Sequence, residues 1–460
     1  MRILFYNWCP IDDTEGGGIA VYQRNVLDAL IPKEKIDPYF LCSGFFYDGK
    51  KEVYIREEKS THNARVFSVV NSPVYAPLRA PLENFEMILL DKSLKKVLGL
   101  FIQKYGPFDA IHFQTLEGLS LNVLSLKALF PKTKFVYSVH NYTSICPNVM
   151  LWAEGEENCE RLDSNKSCAT CMQRYNRPNT LFLKNSRKLL ENNHDKLYYY
   201  SRGIKFAERS FFPLKSYKKD PSAYDQYRTE YVEKLNTYVD TILAVSERVK
   251  EIMISHGVTP QKVHVCYVGT KFAEAAVNSC LTNPQKSPFS IVYMGYMRKE
   301  KGFYFLLDAL EKLDTQIAEG LKVTFATKIT DKRAYKRIEK LKDKYKEVIV
   351  YDGYSHKDIP AILKDAQLGI VPVLWEDNLP QVAIEMISCG VPVLASSFGG
   401  ASELNECPSF CFEGNNIDDF LKKIITIYKN RELLTEYWNQ AKPLTTMETH
   451  LRELTKYYEE

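Results

Sequence analysis

The chain has 460 residues, 45% of them hydrophobic, and a formal net charge of +4 at pH 7. This length exceeds one ordinary folding core, so we expect two or three domains. No apolar stretch reaches the ~18 residues that a membrane-spanning helix needs. The opening sequence, MRILFYNWCP, lacks the apolar length and the cleavage site of a signal peptide. We therefore expect a cytoplasmic protein whose eleven cysteines are mostly reduced thiols.

Strand and helix patterns alternate along the chain, which favours parallel sheets covered by helices. In the first half, the strand candidates are 2–7, 109–114, 134–140 and 240–246. After a polar stretch at 281–288, a second series of strand candidates follows at 290–295, 323–327, 348–353, 368–373 and 391–396. Two such series predict an α/β protein with two doubly wound, Rossmann-like domains that face a central cleft.

Polar or flexible residues follow several of these strands, where open α/β sheets bind their ligands. Gly16, Gly17 and Gly18 follow the first strand and open onto a helix, an arrangement that lets a backbone approach a phosphate. The glycines do not form the GxGxxG pattern, so a nicotinamide enzyme is disfavoured. His140 ends the third strand candidate and is a candidate contact in the cleft, as is His112 near the end of the second.

Two motifs in the second half combine charged residues with glycine turns. In LWEDNLPQVAIEMISCGVPVLASSFGGASEL, seven residues separate Asp377 from Glu385, and a Gly399-Gly400 turn precedes Glu403. Upstream, VYMGYMRKEKG places Lys301 between a strand and a helix. Carboxylates accept strong hydrogen bonds from sugar hydroxyls, and cations stabilise the charge on a departing diphosphate.

These motifs resemble the donor-binding signature of glycosyltransferase family 4. The resemblance implies the GT-B fold and retaining sugar transfer through an oxocarbenium-like state. Glu385 would bind the nucleotide ribose, and Asp377 stands where the family has a glutamate that contacts the donor sugar, with Glu376 adjacent. Lys301 would clamp the diphosphate, whereas Tyr296 replaces a family arginine and Arg298 is the nearby substitute.

In the first half, the resemblance extends to the glycine loop and to the histidine that a strand delivers into the cleft. The catalytic candidates are then His140, Lys301 and Asp377. The donor-binding candidates are Gly16, Gly17, Gly18, Arg298, Lys301, Asp377, Glu385, Phe398, Gly399, Gly400 and Glu403. Backbone N–H groups of Gly17, Gly18 and the turn at 398–400 would assist at the diphosphate.

Four cysteines lie close together in the sequence: Cys146, Cys159, Cys168 and Cys171. Four thiolates can hold a structural zinc ion, but the spacing matches no standard zinc ribbon, and plain reduced thiols are an equal alternative. The family resemblance implies that catalysis itself requires no metal or other cofactor.

A basic stretch follows these cysteines. Between Met172 and Lys219, twelve Lys or Arg residues stand against three acids, with aromatic residues interspersed. Such a stretch is a solvated face or a region that contacts an anionic membrane surface or a lipid-diphosphate acceptor. No nucleic-acid-binding module accompanies it, so we expect no nucleic-acid partner.

The sequence thus predicts an acceptor-side domain at 1–284 with an insertion at about 141–235, and a donor-binding domain at 285–440. A final helix at 441–460 is expected to turn back towards the first domain. The predicted activity is transfer of a sugar from a nucleotide-diphosphate sugar to a glycan or lipid-linked acceptor. By resemblance, the setting is bacterial surface-polysaccharide synthesis, in the cytoplasm or peripherally on the cytoplasmic membrane face. A nucleotide-sugar epimerase of the same fold and a degenerate scaffold protein are the alternatives.

Overall fold

The structure is a computed structural model. It describes residues 1–459 apart from 13–16, 31–35, 49, 61, 63, 75, 78–84, 154, 160–167, 169, 173–222 and 271–282. The Gly16 and basic-stretch predictions therefore lie outside the described residues. In the described part, two α/β units are present, which confirms the predicted fold class.

The N-terminal domain is built on one large sheet. Its strands and an associated hairpin are β1 Arg2–Asn7, β2 Asp37–Phe46, β3 Tyr54–Glu58, β4 Arg65–Val70, β5 Ala110–Phe113, β6 Lys134–Val139, β7 Trp152–Ala153, β8 Glu157–Asn158, β9 Thr241–Ala244 and β10 Val263–Val265. The sheet order is β10-β9-β6-β5-β1-β2-β4-β3, parallel except at the β3–β4 edge, while β7 and β8 form the separate hairpin. Strands β2, β3 and β4 are not among the strands predicted from the sequence.

Helices cover this sheet. They are α1 Gly17–Leu30, α2 Phe85–Leu90, α3 Lys92–Tyr105, α4 Ala223–Tyr238 and α5 Glu247–Ser255, together with a 3₁₀ helix at Leu121–Ala128. Apolar residues recur at helical spacing in α1, so Tyr22, Val26 and Leu30 all face the core. This is the helix expected to follow the glycines.

The C-terminal domain has a parallel sheet in the order β13-β12-β11-β14-β15-β16. Its strands are β11 Phe289–Met294, β12 Leu321–Thr327, β13 Glu347–Asp352, β14 Leu368–Val371, β15 Val393–Ser396 and β16 Cys411–Phe412. Its helices are α6 Phe303–Lys312, α7 Thr315–Ala318, α8 Lys332–Leu341, α9 Ile359–Leu363, α10 Gln381–Ser388, α11 Ile417–Lys429 and α12 Leu433–Gln440. Every residue of β11 is buried, as expected for a central strand covered on both faces.

A last helix, α13 Met447–Glu459, belongs to the N-terminal domain in space. It contacts α1 and β6, and the hydroxyl of Tyr458 lies 2.7 Å from Nδ1 of His112. Tyr22 Oη lies 2.6 Å from Nε2 of His450. The N-terminal core is therefore completed by residues from the far end of the chain. Among the described residues, no helix combines the length and apolar character needed to cross a bilayer.

Candidate active site

The two domains enclose a cleft cavity of about 740 Å³. Its walls are formed where parallel strands end: His140 follows β6, Gly295 and Tyr296 follow β11, and Pro372 follows β14. This is the edge at which doubly wound sheets bind ligands. The structure brings together six of the sequence-predicted residues here: Gly17, Gly18, His140, Lys301, Asp377 and Glu385.

Lys301 and Asp377 form an ion pair in the cleft. Lys301 Nζ lies 2.5 Å from Asp377 Oδ2 and 5.1 Å from the centre of the Trp375 ring. Gly302 follows Lys301 with φ of 71°, and a Cβ there would collide with the carbonyl oxygen of Pro372. Only glycine fits this close approach, which holds Lys301 against the segment that bears Asp377.

Glu385 lies on the cleft side of α10 and is buried. Its Oε1 is 3.3 Å from Nε2 of His356, in the loop after β13. The hydrogen bond with Glu385 raises the pKa of His356 above its ordinary value, more than burial lowers it. Both side chains also line a second cavity of about 350 Å³, which includes Arg24 and Asp28 of α1. Glu385 therefore stands between the two cavities.

The N-terminal side of the cleft supplies Gly17, Gly18 and His140. The Gly18 carbonyl accepts a 3.0 Å hydrogen bond from Nε2 of Gln381, so the glycine loop touches α10 across the cleft. His140 Nε2 is buried and, among the described residues, has no hydrogen-bond partner. Burial, reinforced by nearby His450, lowers the pKa of His140 to about 3. At neutral pH this is an uncharged imidazole with hydrogen-bonding capacity to spare.

Glu376 and Glu403 face the other domain instead of the cavity. Glu376 Oε1 accepts a 2.6 Å hydrogen bond from Nη2 of Arg248, and its Oε2 accepts the Gly399 N–H at 3.0 Å. Glu403 accepts the backbone N–H groups of Glu247 and Arg248 at 2.9 and 2.6 Å, and so caps the start of α5. We call these contacts the domain interface; they fix how the two walls of the cleft meet.

Other predicted donor-binding residues lie beside the cavity. The N–H of Gly400 donates to the Asp377 carbonyl at 2.9 Å, so the Gly399-Gly400 turn supports Asp377. Phe398 is half-buried against Gly414. Arg298 is 61% exposed and lies 3.8 Å from Glu300. None of these residues lines the cleft cavity in the described part of the chain.

Several lining residues were not predicted from the sequence, among them Arg24, Lys328, Tyr354 and His356. Lys328 directly follows β12, and the other two in the second domain follow β13. The general rule that ligands bind beyond the carboxyl ends of parallel strands would have identified these three. Arg24 lies on α1, and it lines the cavity only because the two domains meet there.

His112 had been a candidate cleft residue, and this expectation was wrong. Its side chain is completely buried, with Nδ1 bonded to Tyr458 and Nε2 lying 2.7 Å from Ser138 Oγ. Burial lowers its pKa to about 3. His112 is a core residue because α13 covers the strand on which it lies.

The four cysteines of the proposed zinc site line one cavity of about 40 Å³. Arg228 Nη1 lies 3.1 Å from Cys168 Sγ, and burial raises the pKa of the Cys146 thiol to about 12. In the ranges that the structure covers, no three Cys, His or acidic side chains are arranged to hold a metal ion. The cysteines therefore share a site without metal-ligand geometry, and the zinc ion stays a prediction.

Known proteins resemble both domains. The family model described as Glycosyltransferase Family 4 matches residues 16–272, and the model described as Glycosyl transferases group 1 matches residues 282–443. An uncharacterised 41.2 kDa protein in the cps region of Klebsiella pneumoniae is 25% identical over 57% of this chain and 76% of its own length. An Escherichia coli galactosyltransferase acting on α-D-GlcNAc-diphosphoundecaprenol is 35% identical, but over only 16% of this chain and 20% of its own.

Solved structures agree in fold. Anabaena HepE in complex with UDP and glucose has a TM-score of 0.55 at 14% identity, over 99% of this chain and 98% of its own. A sucrose-phosphate synthase from Thermosynechococcus elongatus has a TM-score of 0.58 at 14% identity, over 100% and 98%. At such identities the likeness shows the GT-B fold alone. The family match spans more than half of the chain, and this protein therefore belongs to glycosyltransferase family 4.

Proposed function

We propose that this glycosyltransferase moves a sugar from a nucleotide-diphosphate donor to a glycan or lipid-linked acceptor, with retention at the anomeric carbon. The observation that carries the proposal is the meeting of Lys301, Asp377 and Glu385 in one cleft cavity. A cation and two carboxylates there suit the two ends of such a donor: a diphosphate, and the hydroxyls of a ribose and a sugar.

Each residue has a role that its position supports. Glu385, buried at the edge of two cavities, accepts hydrogen bonds from ribose hydroxyls. Asp377 accepts hydrogen bonds from the donor sugar, and Lys301, which it holds in place, faces the diphosphate. The bond from the anomeric carbon to the diphosphate oxygen breaks as the acceptor oxygen bonds to the same face, and the acceptor hydroxyl gives its proton to the departing diphosphate. Lys301 stabilises the charge that then accumulates on the diphosphate.

His140 completes the sugar side of the site. Because its imidazole is uncharged at neutral pH, it can hydrogen-bond a sugar hydroxyl without competing with Lys301 for the diphosphate. The backbone of Gly17 and Gly18 approaches the donor from the same wall, at the start of α1, where the helix dipole favours an anion.

The biological setting is also part of the proposal. The name of the Escherichia coli galactosyltransferase gives α-D-GlcNAc-diphosphoundecaprenol, and a Salmonella typhimurium relative is named as a lipopolysaccharide 1,2-N-acetylglucosaminetransferase. The latter is 31% identical over 25% of this chain and 31% of its own length. We place the reaction in bacterial surface-polysaccharide assembly on the cytoplasmic side of the membrane. The basic stretch between Met172 and Lys219 is a proposed contact with the acceptor or the membrane.

A donor screen tests the function. The purified protein is incubated with a panel of nucleotide-diphosphate sugars and acceptor-bearing membranes, and release of nucleoside diphosphate is measured. We expect release with one donor class, and anomeric analysis of the product should show retention. Absence of nucleoside diphosphate binding in calorimetry would contradict the proposal at its first step.

A structural zinc ion at the four cysteines is a separate proposal. Elemental analysis of the purified protein tests it: about one zinc per chain, lowered together with thermal stability in Cys168→Ser, would support the ion. Less than a tenth of this amount in the unmodified protein, roughly, would leave four reduced thiols as the correct interpretation.

A further inference from the structure

One face of the N-terminal domain exposes leucines. Leu90, Leu100 and Leu129 are 53%, 55% and 64% exposed. Among the described residues, these are the exposed large aliphatic side chains, and the remaining exposed large hydrophobics are Tyr296 and Tyr351 of the other domain. Scattered exposed leucines are ordinary on a protein surface, so their significance depends on whether they share a surface.

The three leucines come from adjoining elements. Leu90 ends α2, Leu100 lies on α3, and Leu129 directly follows the 3₁₀ helix at 121–128. The 3₁₀ helix contacts both α2 and α3. Its start lies beside the start of α3, where Asn122 Nδ2 is 3.5 Å from the Asp91 carbonyl, and further along its Leu126 faces Gly99 of α3. The leucines therefore project from one continuous layer.

The α3 helix makes this layer basic, although α2 adds one exposed acid, Glu86. Within its fourteen described residues, KSLKKVLGLFIQKY, α3 contains four lysines and no acidic side chain. Lys92, Lys96, Leu100 and Lys104 recur every four residues and are all exposed, so they form one stripe along the helix. Asp91, at the start of α3, is occupied as the helix cap and accepts the Leu94 N–H at 2.8 Å.

We propose that this leucine–lysine face, formed by α2, α3 and the 3₁₀ helix, docks on an anionic lipid bilayer. Lysines attract acidic headgroups, while leucines between them enter the boundary between headgroups and acyl chains. A protein partner would have to match a lysine stripe with acids, whereas a bilayer supplies negative charge over any area. Neither the donor site nor the family assignment requires this surface.

The orientation of α3 determines where a docked bilayer would lie relative to the cleft. Because α3 leads from β4 into β5 of a parallel sheet, it runs antiparallel to those strands, and its start lies at their carboxyl ends. Those ends face the cleft. A bilayer against Leu90 and Lys92 would therefore lie beside the cleft mouth, where a lipid-linked acceptor could enter. This last step rests on the proposed function; docking itself does not.

Vesicle sedimentation tests the proposal with the full-length protein. Vesicles of phosphatidylcholine alone are compared with vesicles that also contain phosphatidylglycerol. We expect binding to the anionic vesicles, and at least about tenfold weaker binding for the double variant Lys92→Glu/Lys96→Glu. Leu100→Ser/Leu129→Ser should weaken the binding that persists at high salt, because the apolar contribution is not screened.

The matched control is Lys332→Glu/Lys336→Glu on α8, which changes the same charge at the same spacing on two exposed lysines of the other domain. It should bind within about twofold of the unmodified protein. The proposal would be overturned if both double variants lost vesicle binding equally, or if the unmodified protein did not bind anionic vesicles. Full binding by Lys92→Glu/Lys96→Glu would also overturn it and assign the membrane contact to another surface.

Two further measurements distinguish a bilayer from a second copy of the chain, and docking from catalysis. If light scattering shows a dimer that Leu100→Ser/Leu129→Ser dissociates, the face binds a second copy and the bilayer proposal fails.

Nucleoside diphosphate release with a water-soluble acceptor should be equal in the Lys92→Glu/Lys96→Glu variant and the unmodified protein. Loss of release in every protein would count against the proposed function, while the vesicle result would still stand.

Discussion

The cleft cavity and the domain interface meet within one peptide segment, and they use its carboxylates differently. Asp377 turns into the cavity and pairs with Lys301, where a donor can reach both groups. Its neighbour Glu376 turns the opposite way, accepts from Arg248 of the other domain, and has only 5% of its surface exposed. Of these two adjacent acids, one thus belongs to the substrate site and the other to the domain interface. Substitutions in the cleft cavity should mainly lower turnover, whereas substitutions in the domain interface should mainly lower stability.

Lys301→Met should give the largest effect. Removing the cation that faces the departing diphosphate should lower turnover by about 100-fold at saturating donor, with little change in thermal stability. Nucleoside diphosphate release measures it. The comparison variant is Arg298→Met, whose guanidinium lies outside the cavity lining and should cost less than about threefold. Comparable losses would place both cations at the diphosphate, and a near-normal rate for Lys301→Met would contradict its role.

Glu385→Gln should come next. The neutral amide keeps the shape but loses a charge-assisted acceptor for ribose hydroxyls, so kcat/KM should fall about tenfold, mostly through the KM of the donor. Titration calorimetry with the nucleoside diphosphate should show the same loss. Glu406→Gln is the control, since Glu406 is 73% exposed and 3.9 Å from Lys442 on the surface. An unchanged donor affinity in Glu385→Gln would mean that the ribose binds elsewhere.

On the interface side, Glu376→Gln should reduce stability and spare the chemistry. The buried carboxylate loses a bidentate arginine contact, which should lower the free energy of unfolding by about 1–3 kcal/mol. Differential scanning calorimetry would register this as a lower melting temperature, with donor affinity unchanged. The control removes the exposed partner of the same arginine: Glu251→Gln, 3.4 Å from Arg248, should leave the melting temperature unchanged. A donor-binding defect in Glu376→Gln would erase the distinction between the two regions.

The smallest effect concerns pH. Because Glu385 raises the pKa of His356 above its ordinary value of 6.5, the charged pair stabilises the fold below that value. This contribution is lost as the pH rises through the raised pKa. His356 is half exposed, so the effect is well under about 1 kcal/mol. The melting temperatures of the unmodified protein and His356→Gln should differ at mildly acidic pH and converge above neutrality. A difference that grows with pH would contradict the pairing.

The sequence predicted the cavity side of this comparison better than the interface side. Lys301 lies in one strand–loop–helix unit, and Asp377 and Glu385 lie in another. Because each motif is local in sequence, the resemblance to the family located these three residues. Glu376, by contrast, was considered only as a substitute for Asp377. Its actual partner, Arg248, is 128 residues away, and no local pattern encodes which domain surfaces meet.

The same reason explains the other differences. The role of Glu403 as the cap of α5 depends on a contact 155 residues away, and His112 became a core residue only because Tyr458 covers it. Strands β11 and β12 were evident because buried parallel strands are continuous apolar runs. Local signals thus identified many of the elements and six of the residues that line the cavity, whereas long-range packing decided what each charged residue does.

The position of α13 bears on how the protein is made. His112 and Tyr458 are 346 residues apart, so a ribosome adding about 5–20 residues per second needs roughly 20–70 s to travel from one to the other. Once β10 ends at Val265, the whole N-terminal sheet has been synthesised, but the surface that α13 will cover stays open to water until the chain reaches Tyr458. The nascent first domain must therefore wait, incomplete, for the second domain to be translated. Premature termination anywhere in the C-terminal half should release an aggregation-prone fragment, not a functional acceptor domain.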